Sequence, residues 1–431
     1  MSDLVAPHIL VPLASAAAAG AAAIIATRPR NLIPISKCRA AAPALVAPPA
    51  TSGLAAEREV ALVDTDLRQL VKDGVFNFGT DLGPYVQPAS VDVPLVGKAW
   101  MVKEKVLPFR KSIQELLPDL VLEERSLDGQ GTVLLKGQTY LVHIGQISLP
   151  HGHRGLLSPK SSIGRVDLMV RGVVDECGLY DIIDGGQRRE LWLEITPQSF
   201  NVHVKAGLAL TQLMVFRADA NPAPGQMLPL VFDDYGSQLP LRLHKESLIL
   251  SLRVPAGAAE AAPGTQRQYT EDNHMLAGYE AVATNEIVDM SNIGGHDPAK
   301  FFRPVYAEAG GKLTLEKDRF YILSTKERVS IPLSLSGEMV PFSHHVGELR
   351  AHYAGFFDPG FGYGASGELR GAVGVLEVRP HETIKIYDGQ PICLMEFFRN
   401  SEIPAAPYGS VGNNYQGQQG PKLAKYFATY Q

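Results

Sequence analysis

Apolar and polar residues alternate with a period of two along most of this chain. Tyr140-Leu-Val-His-Ile, Glu190-Leu-Trp-Leu-Glu-Ile, Phe200-Asn-Val-His-Val and Thr211-Gln-Leu-Met-Val-Phe are short runs rich in β-branched and aromatic residues, bounded by proline and glycine. That is the signature of strands. Helical spacing is confined to pieces such as 56–73 and 111–117. Many short strands at regular spacing predict closed or double-sheet β architecture, barrels or jelly rolls, with a few short helices.

The pattern also repeats. Tyr140-Leu141-Val142, Ser148-Leu149-Pro150, Leu193-Glu194 and Met214-Val215-Phe216-Arg217 return as Tyr321-Ile322-Leu323, Ser330-Ile331-Pro332, Leu376-Glu377 and Met395-Glu396-Phe397-Phe398-Arg399, at offsets of 181 to 183 residues. A period this long indicates duplicated domains, because solenoid repeats are several times shorter. Residues 255–264, Pro-Ala-Gly-Ala-Ala-Glu-Ala-Ala-Pro-Gly, have linker composition. The expected organisation is therefore a first β domain over 58–254, a linker over 255–271 and a second β domain over 272–431.

Composition limits the function classes. The 431 residues include 45% hydrophobic and 20% charged residues, enough for ordinary globular cores. A net charge of −5 argues against binding of a nucleic acid polymer. Three scattered cysteines (Cys38, Cys177, Cys393) form no disulfide framework, which favours a reducing, cytoplasmic setting. Residues 1–57 form an alanine-rich segment broken by Pro7 and Pro12, with its basic residues after the apolar stretch. It reads as a disordered leader, with an organelle-targeting segment or a membrane anchor as the alternatives, and the folded part needs no membrane.

Several residues are candidates for chemistry. Lys160-Ser161-Ser162-Ile163-Gly164-Arg165, on a turn after Pro159, offers hydroxyls, backbone N–H groups and a guanidinium to a phosphate. The plainer reading is a helix cap, with Ser161 as N-cap. In Glu190-Leu-Trp-Leu-Glu, alternation places Trp192 and Glu194 on one face, so Glu194 is expected to be desolvated and suited to acid–base work. A solvent-facing strand glutamate is the alternative. Glu377 is its counterpart in the second copy. His151-Gly152-His153 and His344-His345 lack partners at ligand spacing, and no two cysteines are close, so the zinc signature of base deaminases is missing. The Gly-, Asn- and Gln-rich tail from Tyr408 through Pro421 is suited to closing over a ligand, with a disordered terminus as the equal alternative on composition.

Taken together, Gln87-Pro88-Ala89-Ser90-Val91-Asp92, Lys160–Arg165, Asp184 ten residues before Glu194, Asp358-Pro359-Gly360-Phe361 and Tyr415-Gln-Gly-Gln-Gln-Gly-Pro resemble the dCTP deaminase branch of the deaminase/dUTPase superfamily over about residues 75–425, in its two-domain bacterial form. The resemblance implies two tandem dUTPase-like, distorted jelly-roll/β-barrel domains. It implies zinc-independent hydrolytic deamination of dCTP to dUTP and ammonia, with Mg²⁺ accompanying the triphosphate and no fixed protein metal. On it, Glu194, Ser161 and Arg165 are catalytic. Lys160, Ser162, Asp184, Asp358, Tyr408 and Gln418 bind the nucleotide, and Glu377 is a degenerate second-copy remnant. By analogy with family trimers, the chain is expected to form a homo-oligomer with sites at domain or subunit interfaces.

This sequence departs from the family pattern in places. Asn414 stands where the family lid has a lysine, Asp184 is followed by Gly185-Gly186, and Ser343–Glu348 replaces the serine–arginine motif in the second copy. Those departures keep two alternatives in view: a dUTP pyrophosphatase or bifunctional deaminase/pyrophosphatase, and a catalytically inactive nucleotide-binding β-barrel.

Overall fold

The computed structural model describes residues 59–219, 228–255, 276–341, 355–410 and 414–429. The leader, most of the expected linker and Ser343–Glu348 lie outside them. The described chain is mainly β, as the alternation predicts, with antiparallel sheets and a few short helices. Among these helices, α1 is Asp64–Lys72, α2 is Ile113–Leu120 and α3 is Ser161–Gly164. No helix among the described residues is long and apolar enough to cross a membrane.

In the first half, Arg189–Pro197 runs between Thr139–Ile147 and Leu168–Val174. A second sheet pairs Ala209–Ala218 with Glu59–Ala61, Val91–Pro94 and His153–Pro159, and Ile182–Asp184 forms its far edge. The second half repeats this wiring. Ala372–Val378 pairs with Tyr321–Ser330, and Pro391–Arg399 pairs with Leu335–Pro341 and Ser247–Ser251. The registers match across the repeat: Leu141 faces Glu194, and Ile322 faces Glu377.

Hydrogen bonding places the division between the halves earlier than residue 254. Leu230–Phe232 pairs with Tyr321–Ser330, and Ser247–Ser251 with Pro391–Arg399, so both belong to second-half sheets. They correspond to Phe76–Asn77 and Val91–Pro94 of the first half. Strands on both sides of the linker-like stretch, Ser247–Ser251 before it and Leu276–Ala281 after it, therefore pair within the second half; the stretch itself lies outside the described residues apart from Pro255. Linker-like composition does not by itself distinguish a join between halves from a connection within one.

One core contains first-half residues such as Val142, Leu193 and Ile195 together with Tyr279, Phe302, Ile322, Val375 and Phe427. The sheet face that carries Ile322, Val375 and Glu377 is thus packed toward the first half. Asn201–Val204 also pairs in parallel with Ile287–Asp289, stitching the halves by backbone hydrogen bonds. The matching face of the first-half sheet, with Val102, Leu141, Val173 and Trp192, is covered by the chain's own 103–120 segment through Val106, Ile113 and Leu120.

Candidate active site

The two related glutamates have opposite surroundings. Glu194 is 1% exposed, and its carboxylate meets the Lys105 ammonium at 3.2 Å and accepts a hydrogen bond from the Tyr180 hydroxyl at 3.4 Å. Burial, then the adjacent Glu194 charge, pushes the Tyr180 phenol up to about 12. Arg171 stacks on Tyr180 and pairs with Asp181. This is a self-contained ionic cluster on the face covered by residues 103–120.

Glu377 is also buried, yet the Arg165 guanidinium is the cation it faces, at 3.9 Å from Nε to Oε1. That is beyond hydrogen-bond range, and Arg165 Nε has no hydrogen-bond partner. Burial pushes the Glu377 carboxyl up to about 8; Arg165 opposes the shift and Asp167 adds to it.

Arg165 comes from the turn the sequence singled out. Lys160, in extended conformation, occupies the N-cap of α3 without a side-chain cap bond, so Ser161 is not the cap and its hydroxyl is left for the cavity. A cavity of about 550 Å³ opens here, lined by Lys160, Ser161, Ser162 and Arg165 from the first half and by Asp358, Glu377, Tyr408 and Gln418 from the second. Its volume lies within the range of small-molecule sites.

The tail holds the two sides together. Tyr415 hydroxyl and Ser162 Oγ are 2.6 Å apart, and the Arg165 guanidinium lies 3.8 Å above the Tyr415 ring. Arg165 Nη1 donates to the Lys422 carbonyl at 2.9 Å, and both Nη atoms reach Gln418 Oε1 at 3.3 to 3.4 Å. Gln418 Nε2 in turn donates to the Val373 carbonyl at 2.7 Å. Gly360 closes this wall: its φ is +98°, and a Cβ there would lie 2.9 Å from the Tyr408 carbonyl oxygen, so only glycine lets the tail approach.

A second polar group lies alongside. Lys160 pairs with Asp92, whose carboxyl is raised by burial against the pull of Lys160. Burial, then the Asp92 charge, pushes Asp358 up to about 7. Lys425 lines the same cavity, and burial and repulsion by Lys160 lower its proton affinity. Among the described residues no three His, Cys, Asp or Glu side chains converge as a metal cage.

Of the expected site residues, Lys160, Ser161, Ser162, Arg165, Asp358, Tyr408 and Gln418 converge. Glu194 and Asp184 do not. Asp184 is exposed on the edge strand Ile182–Asp184. Register supplies the reason: Ile183 pairs with Gly155 as Phe357 pairs with Gly337, so Asp358 is the topological counterpart of Asp184, as Glu377 is of Glu194. The cavity uses the second copy of both. Tyr415 and Lys425 were not singled out as site residues. The tyrosine lay within a recognised tail motif, but nothing in local spacing marks Lys425.

Residues 59–219 match the family description "2′-deoxycytidine 5′-triphosphate deaminase N-terminal domain" and residues 261–427 match the corresponding C-terminal domain. The chain is 30% identical over 149 residues to the "dCTP deaminase, dUMP-forming" of Coprothermobacter proteolyticus, covering 33% of this chain and 76% of that one. It is 30% identical over 130 residues to the protein of the same name from Corynebacterium glutamicum, covering 29% of this chain and 65% of the relative's length. The crystal structure of 2′-deoxycytidine 5′-triphosphate deaminase from Agrobacterium tumefaciens superposes with a TM-score of 0.66 at 30% identity, covering 80% of this chain and 99% of that one.

Proposed function

The chain belongs to the dCTP deaminase family, and from that premise we propose that it deaminates dCTP hydrolytically at one site per chain, built across the two halves, with Glu377 as the proton carrier. The observation that carries this reading is the placement of Glu377, and not Glu194, in the cavity wall with Arg165, Ser161 and Ser162. Each half is read as a dUTPase-like, distorted jelly-roll. Both sides of the described cavity come from one chain, so assembly into an oligomer is a separate expectation.

With its carboxyl pushed up to about 8, Glu377 is mostly protonated at neutral pH in the free site. It protonates N3 of cytosine, which makes C4 electrophilic. The resulting carboxylate, stabilised by Arg165, takes a proton from the water that attacks C4. Ser161, which lines the same cavity as Arg165 and Glu377, is assigned to orient that water. Glu377 then protonates the amine, the C4–N bond breaks, and the C4 hydroxyl returns its proton to the carboxylate as the carbonyl forms. Ammonia leaves and Glu377 ends protonated, so the cycle is balanced. General acid–base catalysis of this kind contributes about 10²–10⁴-fold.

Lys160, Ser162 and Lys425 are proposed to meet the triphosphate, and Tyr408 and Gln418 to close over it. Mg²⁺ accompanying the triphosphate would neutralise part of its charge, and such ions need only one or two protein carboxylates. Asp358 and Asp64 are cavity-wall carboxylates that would be within its reach.

The names of the relatives favour a second reading, in which the product is dUMP. Incubation with dCTP and Mg²⁺, measuring ammonia and pyrophosphate, tests both. Ammonia alone supports dUTP formation, ammonia with pyrophosphate supports dUMP formation, and neither product refutes the enzymatic reading.

A further inference from the structure

Two residues beyond Arg165 the same turn makes another contact with the second half. Asp167 is 1% exposed and has a left-handed backbone, φ +56°, a conformation that a non-glycine residue keeps only where its surroundings fix it. Its Oδ2 accepts hydrogen bonds from Ser199 Oγ at 2.6 Å and from Arg379 Nη2. Arg379 also donates to Ser199 Oγ at 3.0 Å and to the Asp318 carbonyl. It lies two residues beyond Glu377, so extended backbone points both side chains to one side. Two acid–base contacts thus cross the junction in step: the Arg165 guanidinium facing the Glu377 carboxyl, and the Asp167–Arg379 ion pair.

We propose that the Asp167–Arg379 pair is a positioning device for the reaction, fastening the first-half turn to the second-half strand and setting the charge around Glu377. This rests on the reading of Glu377 as the proton carrier. Two charged side chains bear on Glu377, Arg165 and Asp167, both from the turn; Cys393, from Pro391–Arg399 across the core, is a thiol kept neutral by burial and by the nearby carboxylates Glu327 and Glu377. Asp167 holds the proton on Glu377, and Arg379 cancels part of that effect by pairing with it. A clamp that only held the halves together would have no preferred sign of charge toward Glu377. This one has a sign, and the two partners have opposite effects.

The test is the pH dependence of kcat/KM for dCTP between pH 6 and 9.5, with thermal unfolding measured in parallel. The variants are Asp167→Asn, Arg379→Gln, the double variant, Arg379→Lys and Glu377→Gln. Removing the Asp167 charge moves the alkaline limb to lower pH, and removing the Arg379 charge moves it to higher pH. Each shift is on the order of half a pH unit. The double variant returns toward the wild-type limb. Arg379→Lys keeps the charge and so the limb, with lower kcat from the lost fork geometry, and remains informative if Arg379→Gln fails to fold. Shifts of the same sign, or losses of activity and stability with an unmoved limb, overturn the proposal. If Glu377→Gln retains wild-type kcat, the underlying reading of Glu377 fails instead, whatever the other variants do.

Discussion

Glu377→Gln is predicted to stabilise the folded chain while abolishing turnover. The substitution keeps the shape of the side chain and removes the titration. Glu377 is 6% exposed, and burial moves its carboxyl from the ordinary value of 4.5 to about 8. A raised folded-state value means that the native state binds the proton more tightly than the unfolded chain. Its contribution is therefore complete below pH 4.5 and is lost as pH rises toward 8. At 1.36 kcal/mol per pH unit, the wild type loses roughly 3 kcal/mol between pH 4.5 and pH 7 from this group, with a ceiling of roughly 5 kcal/mol above pH 8. Glutamine does not titrate, so the stability of the variant relative to wild type should climb steadily from pH 5 to pH 8. Denaturant unfolding of both proteins across that range measures the difference directly, and thermal midpoints should separate by a few degrees near neutrality. A difference that is flat with pH, or one that favours the wild type as pH rises, would refute the description of Glu377 as a buried carboxyl held protonated.

Two further outcomes follow from the same geometry. kcat/KM for dCTP should fall as pH rises through about 8, because the free site must begin with Glu377 protonated; a rise through that range would mean that the carboxylate is the starting form. Tyr415→Phe removes the hydroxyl that sits 2.6 Å from Ser162 Oγ and accepts from the Lys425 N–H at 3.2 Å. Loss of these bonds, worth about 1–2 kcal/mol together, should raise KM roughly tenfold with a smaller change in kcat; steady-state kinetics with an unchanged KM would count against the tail as a wall of the site.

Much of this arrangement is legible in the sequence. Period-two alternation in runs such as Thr211–Phe216 indicates strands, and the near-constant offset from Tyr140–Arg217 to Tyr321–Arg399 gives the duplication. The motifs at Lys160–Arg165, Asp358–Phe361 and Tyr415–Pro421 mark three pieces of the cavity. Which of the two equivalent glutamates lines the cavity was not legible. Glu194 and Glu377 occupy the same register on the same kind of strand, and alternation predicts burial for both. They differ in what packs on that face: residues 103–120 with Lys105 over Glu194, the other half's turn with Arg165 over Glu377. That is a tertiary contact across some 200 residues, with no trace in local spacing. Strand membership around the expected linker was not legible for a related reason. Pro255–Gly264 has the composition of a linker, but only the pairing of Leu230–Phe232 and Ser247–Ser251 shows which half the preceding strands join.

The central claim, that the two halves build one site around Glu377, is tested most directly by ammonia release from dCTP and Mg²⁺ in two parallel variants. Glu377→Gln should lose at least about 10²-fold in kcat, whereas Glu194→Gln, altering a carboxylate already paired with Lys105 outside the cavity, should stay within about threefold of wild type. An active Glu377→Gln beside an inactive Glu194→Gln would contradict the account.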